Sequence, residues 1–336
     1  MTGWKVLVTG ASGMLGSRTV AILSERGCTV RALVRKTSRT DHLRLPNVTI
    51  FYGDVVEASS MSAAFDGVDY VIHAAADTSG SEEKGKRITV QGTRNILNLC
   101  RTFKVKKLVY ISSCNVYGVT DYQLNQLVNE DSPLERFPEK RGAYSASKLA
   151  AEEHVIREMK AGSYPIVILR PGTIYGPGGE LFTPMLGFSL FHKIFIVIGN
   201  GKFELPLIYI DNLVDVVVKT ISSSEANNQM LNAVDSERMN KKQYVGKLIK
   251  TLYPRSWVFY LPYSMMYALT WSQEMLFKAL RRNPFLTRYR LISSQRNITY
   301  DNAKITRTLQ WQPKISVDEA IAAIIQYERR GNNQAR

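Results

Sequence analysis

The sequence predicts an α/β fold in which a doubly wound parallel sheet carries a smaller C-terminal substrate-binding lobe, and two observations predict it. Short apolar runs with strand character alternate with helical segments through the first half of the chain. The first of these runs passes directly into a turn with Gly10, Gly13 and Gly16 at the spacing G-x-x-G-x-x-G. With 336 residues, 45% of them hydrophobic and 22% charged, the chain can bury the core that such a sheet requires.

Val6, Leu7 and Val8 make an apolar run suited to a strand buried on both faces. The glycines after it allow a sharp turn and a close backbone approach to an anionic ligand. Met14–Arg26 reads as a helix closed by Gly27. Its first turn offers unpaired N–H groups and the positive end of a dipole to a pyrophosphate. Gly10, Ser12, Gly13, Met14, Leu15 and Gly16 are therefore the expected phosphate-side residues.

Cys28–Val34 is the second strand, followed by Arg35, Lys36, Ser38 and Arg39, with no acid between Thr29 and Thr40. At this strand end an acid suits the 2′-hydroxyl of NAD, whereas arginine suits the 2′-phosphate of NADP. Arg31 and Arg35 share a face by the strand period, so NADP is the expected cofactor and NAD the alternative. Val48–Tyr52 is a third strand ending in Gly53-Asp54-Val55, and Ser59–Phe65 a short helix. Val68–His73 is a fourth strand that runs into Ala74-Ala75-Ala76, side chains small enough to let the backbone lie against a cofactor. Lys86–Phe103 reads as an amphipathic helix and Lys107–Ser113 as the fifth strand.

Ser113 stands just past the end of that strand, and Tyr144 and Lys148 follow in the alanine-rich helical stretch AYSASKLAAEEHV. Four residues apart, they share one helix face about a turn from each other. A phenol titrating near 10 needs roughly 4 kcal/mol of differential stabilisation to exchange its proton at neutral pH. A neighbouring ammonium contributes to that. Ser113 would hold a substrate oxygen while Tyr144 gives or takes the proton.

These residues bring the chain to a family. TGASGMLG at 9–16, GDV at 53–55, HAAA at 73–76, SSCNVYG at 112–118, YSASK at 144–148 and RPGTIYGPG at 170–178 together resemble the extended short-chain dehydrogenase/reductases. The resemblance implies a Rossmann-like fold with Ser113, Tyr144 and Lys148 as the catalytic trio. It implies that Asp54 and Val55 flank the adenine and that Pro171 to Thr173 line the nicotinamide side, with Ala74 and Ala75 against the cofactor. The chain looks most like the branch of 3β-hydroxysteroid dehydrogenases and dihydroflavonol reductases. That branch implies hydride transfer between NADP(H) and a ketone or secondary alcohol on a bulky, largely apolar substrate, such as a steroid, flavonoid or β-keto acid. A sugar-nucleotide epimerase or dehydratase with tightly bound NAD is the alternative. Two departures stand out. Thr89 replaces an asparagine usual in the helix motif N-V-x-G-T, and Thr173 stands where many sugar-nucleotide enzymes carry asparagine.

The expected division is residues 1–171 for the NAD(P)-binding domain and 172–330 for the substrate lobe, some of whose segments return to the core. Three widely spaced cysteines form neither a disulfide framework nor a metal-ligand pattern, so no metal is expected. With no basic or apolar leader and no apolar run of about 18 residues, the expected setting is the reduced cytoplasm. The net charge is +15, most of it beyond residue 238. Such a surface attracts nucleic acid, anionic lipid or a phosphorylated ligand, or simply keeps the protein dissolved. The expected partner is a small-molecule substrate, with no nucleic acid, and the family resemblance implies a homodimer. Trp257–Leu280, rich in aromatics and methionine, reads as a helix capping the substrate lobe, as a lid over an apolar substrate, or as a surface making peripheral membrane contact.

Overall fold

A computed structural model describes residues 3–334 of the chain, with side chains to residue 330. In chain order the elements that build the site are β1 (Lys5–Thr9), α1 (Met14–Glu25), β2 (Thr29–Val34), β3 (Val48–Tyr52) and β4 (Tyr70–His73). They continue with α2 (Gly92–Thr102), β5 (Lys107–Ile111), α3 (Ala143–Ala161) and β6 (Ile166–Pro171). Beyond these lie β7 (Gly187–Leu190), β8 (Ile194–Ile198), α4 (Ile210–Ser222), β9 (Met230–Ala233), β10 (Trp257–Leu261), α5 (Tyr263–Ala279) and α6 (Arg288–Gln295).

Seven parallel strands form the central sheet in the order β9-β6-β5-β4-β1-β2-β3. The strand period explains why both faces are covered. Val6 and Val8 join the layer that contains Leu15, Val20 and Leu23 of α1 and Leu213 and Val217 of α4. Leu7, between them, joins the opposite layer with Ile96 and Leu97 of α2 and Ala151 and Val155 of α3. The strand order reverses between β1 and β4, which opens a crevice at their carboxyl ends. β9 lies beyond residue 171 and still pairs with β6 at the edge of this sheet.

Three elements differ from the sequence reading. The helix expected over Lys86–Phe103 begins as a widened turn over Gly85–Gln91 before the regular α2. There Thr89 accepts the Asp77 backbone N–H (2.9 Å) on its hydroxyl, and its carbonyl accepts the Thr93 hydroxyl (2.6 Å). The fifth strand stops at Ile111, because Ser113 turns to cap the segment Cys114–Val116 by accepting the Asn115 N–H at 3.1 Å. Trp257–Leu261 is a strand and only Tyr263–Ala279 is helical. The β-branched and aromatic run WVFYL pairs in parallel with β8, and Pro262 separates it from the helix. β7 and β8 form an antiparallel hairpin, so β7, β8 and β10 make a second, three-stranded sheet.

Candidate active site

A groove of about 690 Å³ runs over the strand ends at the switch point and is lined by Gly10, Ser12, Gly13, Met14, Leu15, Gly16, Arg35, Asp54, Val55, Ala74 and Ala75, among others. A second cavity, of about 540 Å³, is lined by Ser113, Tyr144, Lys148, Pro171 and Thr173. Leu15, Ala74, Ala76 and Thr78 border both, so the two are parts of one cleft. Apart from Arg31, all the residues named from the sequence as cofactor-binding or catalytic line this cleft.

The glycines divide by cause. Gly10 has φ +67°, and a Cβ there would lie 2.8 Å from the Ala75 nitrogen. A Cβ on Gly16 would sit 2.1 Å from the Gly10 carbonyl oxygen. These two are required by the protein's own packing rather than by a ligand. Gly13, at the N-cap of α1, is different. A Cβ there would meet only the Gly10 oxygen, at 3.3 Å, and would otherwise project over the helix start. Bare backbone above a helix N-terminus is what a pyrophosphate needs, so the groove fits a dinucleotide.

Arg35 and Ser38 border the groove beyond β2, and the Ser12 hydroxyl donates to Ser38 at 3.2 Å. Arg31 does not join them. Its guanidinium donates to the Ala63 and Ala64 carbonyls at 3.2 and 3.1 Å and lies over the Phe51 ring. Sharing a strand face with Arg35 was not enough, because Arg31 sits mid-strand, out of reach of the carboxyl end. Lys84 also borders the groove. Within the charged stretch from Glu82 to Arg87, which also holds Lys86, it gave no signal of its own.

Tyr144 sits in the first turn of α3, with Lys148 one turn further on and buried. Burial raises the Tyr144 phenol, and the hydrogen-bonding influence of Ser113 opposes that rise. Lys148 donates to the Ile111 carbonyl at 2.7 Å, and burial pulls its ammonium down to about 8 against the pull of Glu152. Helix α3 thus delivers the phenol, and the end of β5 delivers the serine, to one wall of the cleft.

Two supports beneath the site were not read from the sequence. His73, buried at the end of β4, joins Thr9 of β1 through Nδ1 (2.7 Å) and Thr93 of α2 through Nε2 (3.1 Å). Thr93 already donates to the Thr89 carbonyl, so it accepts from Nε2–H, and Nδ1 accepts from Thr9. Burial pushes this imidazole down to about 3, with Lys148 adding to the shift. The second support centres on Glu152, fully buried and paired with Arg170 at 2.6 Å. The Ser112 hydroxyl also donates to Glu152, and Arg170 donates to the Tyr117 hydroxyl at 2.9 Å. Glu152 follows Lys148 by four residues, and that spacing was its one available signal.

The substrate side of the cavity includes Val119, Met185, Phe203, Ile298 and Tyr300, with Arg141 and Arg296. Both arginines are engaged within the protein. Arg141 pairs with Glu135 (3.6 Å) and donates to the Tyr117 carbonyl, and Arg296 donates to the Tyr122 carbonyl. No residue from Trp257 to Leu280 lines this cavity; residues 293–300 take that place. Among the described residues no cluster suited to a metal ion occurs.

A family model described as the NAD dependent epimerase/dehydratase family matches residues 6–233. The 2-alkyl-3-oxoalkanoate reductase of Stenotrophomonas maltophilia (strain K279a) is 33% identical over 211 residues, covering 62% of each chain. The 3-beta-hydroxysteroid dehydrogenase of Mycolicibacterium neoaurum is 25% identical over 339 residues, covering 96% of this chain and 91% of its own. Among solved structures, MoeE5 in complex with UDP-glucose and NAD superposes with a TM-score of 0.74 at 21% identity, covering 98% of this chain and 99% of the other.

Proposed function

The chain belongs to the NAD dependent epimerase/dehydratase family, and from that premise we propose that it is an NADP(H)-dependent reductase of ketones on bulky, largely apolar substrates. One observation carries the reading: Tyr144, Ser113 and Lys148 line a cavity continuous with the glycine groove. When bound, the nicotinamide cofactor supplies the hydride. Gly10 to Gly16 would hold its phosphates, Asp54 and Val55 its adenine side, and Pro171 and Thr173 its nicotinamide side. Ser113 orients the substrate oxygen, and Tyr144 donates the proton that the forming alkoxide takes up. The lysine charge one turn away favours the phenolate left behind.

Arg141, largely buried against Glu135 and the Tyr117 carbonyl, is not free to clamp a diphosphate, which supports an apolar ketone over a nucleotide sugar. Arg35 beside the groove, with no acid in its own segment between Thr29 and Thr40, supports NADP over NAD. Three buried thiols fit the cytoplasmic setting. The test is NADPH consumption against a panel of 3-oxo acids, steroid ketones and flavonoid ketones, beside nucleotide sugars without added cofactor. Tyr144→Phe should lower kcat on the ketone roughly a hundredfold or more while NADPH binding persists. Turnover of a nucleotide sugar alone, or full activity in Tyr144→Phe, would overturn the proposal.

A further inference from the structure

Large apolar side chains turn outward in two stretches, Phe188 to Phe191 and Trp257 to Phe285. In the three-stranded sheet, register sets Phe188 beside Ile196 and Ile196 beside Phe259. It likewise sets Leu190 beside Ile194 and Ile194 beside Trp257. Alternation puts both rows on one face, and on the other face of β8 Phe195 and Val197 are buried in the core. The outward rows are not covered: Trp257 is 69% exposed and Phe259 54%. At the tip of the β7–β8 hairpin Phe191 is 91% exposed at φ +51°, a conformation unfavourable for a residue with a Cβ.

β10 leads through Pro262 into α5, of whose residues only Thr270 is buried. Met265, Leu269 and Leu276 recur on its exposed side at helical spacing, and Leu280 continues the stripe past its end. Phe285, just beyond, is 82% exposed. An ordinary surface helix would show charge here. Instead α5 carries only Glu274 and Lys278, and Glu274 is held by Arg288 at 2.6 Å.

The exposed charges within and next to these apolar segments of the chain have one sign. Lys193, Arg255, Lys278, Arg281 and Arg282 are exposed, and none enters an ion pair among the described residues. No acid occurs between Glu180 and Glu204, and only Glu274 between Glu237 and Asp301. We propose that this face docks on the surface of an anionic lipid bilayer. The aromatic, leucine and methionine side chains enter the headgroup boundary, and the lysines and arginines meet lipid phosphates. The protein lies on the bilayer without crossing it, since no described helix is long and apolar enough to span one. A second copy of the chain fits less well, because a two-fold interface would set this uncompensated positive rim against itself. A substrate lid fits no better, because these side chains do not line the cavity beside Tyr144. A further cavity of about 640 Å³, lined by Tyr260 and Tyr263, shares Phe203 with the substrate cavity.

The test is co-sedimentation of the full chain with vesicles of phosphatidylcholine alone and of phosphatidylcholine mixed with phosphatidylglycerol. The protein should bind the mixed vesicles on the order of tenfold more tightly, and salt should weaken that binding. Phe191→Ser/Trp257→Ser/Phe285→Ser and, separately, Arg281→Gln/Arg282→Gln should each reduce it on the order of tenfold. NADPH binding should stay unchanged, showing that the exposed substitutions leave the fold intact. Failure to sediment with either vesicle, or equal binding to both, overturns the proposal. So does a dimer in light scattering that the triple substitution dissociates, if the wild type binds no vesicles. Sedimentation does not depend on turnover, so loss of the ketone reading and loss of the docking face are distinguishable.

Discussion

His73 shows how one buried side chain can hold a cofactor crevice open. It ties the ends of β1 and β4 to α2 at the point where the strand order reverses. The ring stays neutral, because protonation would replace an accepting Nδ1 with a donor in a site closed to water. The unfolded chain takes up a proton near pH 6.5, whereas burial delays this in the folded chain to about 3. The unfolded state therefore binds more protons between those values, and stability falls as the pH drops through that window. At about pH 4.5 this group alone should cost on the order of 2–3 kcal/mol relative to neutral pH. Urea unfolding of His73→Asn should show lower stability at neutral pH but a smaller loss on acidification. An unchanged loss would remove His73 as the titrating group. The sequence displayed this residue in HAAA, but its partners lie 64 and 20 positions away, and nothing local announces them.

Helix α3 carries its functional side chains along one face, with Tyr144, Lys148 and Glu152 spaced by four. The first two were legible because phenol and amine together suggest proton transfer. Glu152 was not, since a glutamate in a helix usually faces solvent and its partner Arg170 lies in a strand 18 residues on. The pair is nevertheless fully buried, and it fixes α3 against β6 beneath Ser112. Glu152→Gln should destabilise the protein by about 3–5 kcal/mol, because it leaves the guanidinium buried without its counter-charge. Urea denaturation measures this, and a loss below about 1 kcal/mol would mean that the neutral amide suffices. A parallel contrast separates β10 from α5. Composition marked Trp257–Leu280 as apolar, but whether each part coils or extends depended on β8 lying beside it.

At the scale of the whole molecule, a ligand bound across the β1/β4 crevice touches segments spread over most of the sheet, from Gly10 to Thr173. Binding to the folded state alone should therefore stabilise the entire domain. At about 100 times its Kd, NADPH should add roughly 2.7 kcal/mol, visible as a rise of a few degrees in Tm. At equal concentration NADH should give a smaller rise, since it lacks the phosphate that Arg35 would receive. Equal rises in thermal denaturation would overturn the preference for NADP, and no rise with either would contradict dinucleotide binding in this groove.

The sequence by itself determined the parallel sheet, the glycine turn and the phenol–amine pair, because the first is written as strand–helix alternation along the chain and the other two as spacing within a few consecutive residues. Tertiary structure alone decided that Arg31 turns to the Ala63 and Ala64 carbonyls, that Arg141 and Arg296 are occupied, and that residues 293–300 rather than the aromatic segment wall the substrate cavity. Those outcomes depend on which distant groups compete for a side chain, and burial and hydrogen-bond satisfaction settle that competition only once the chain has closed on itself.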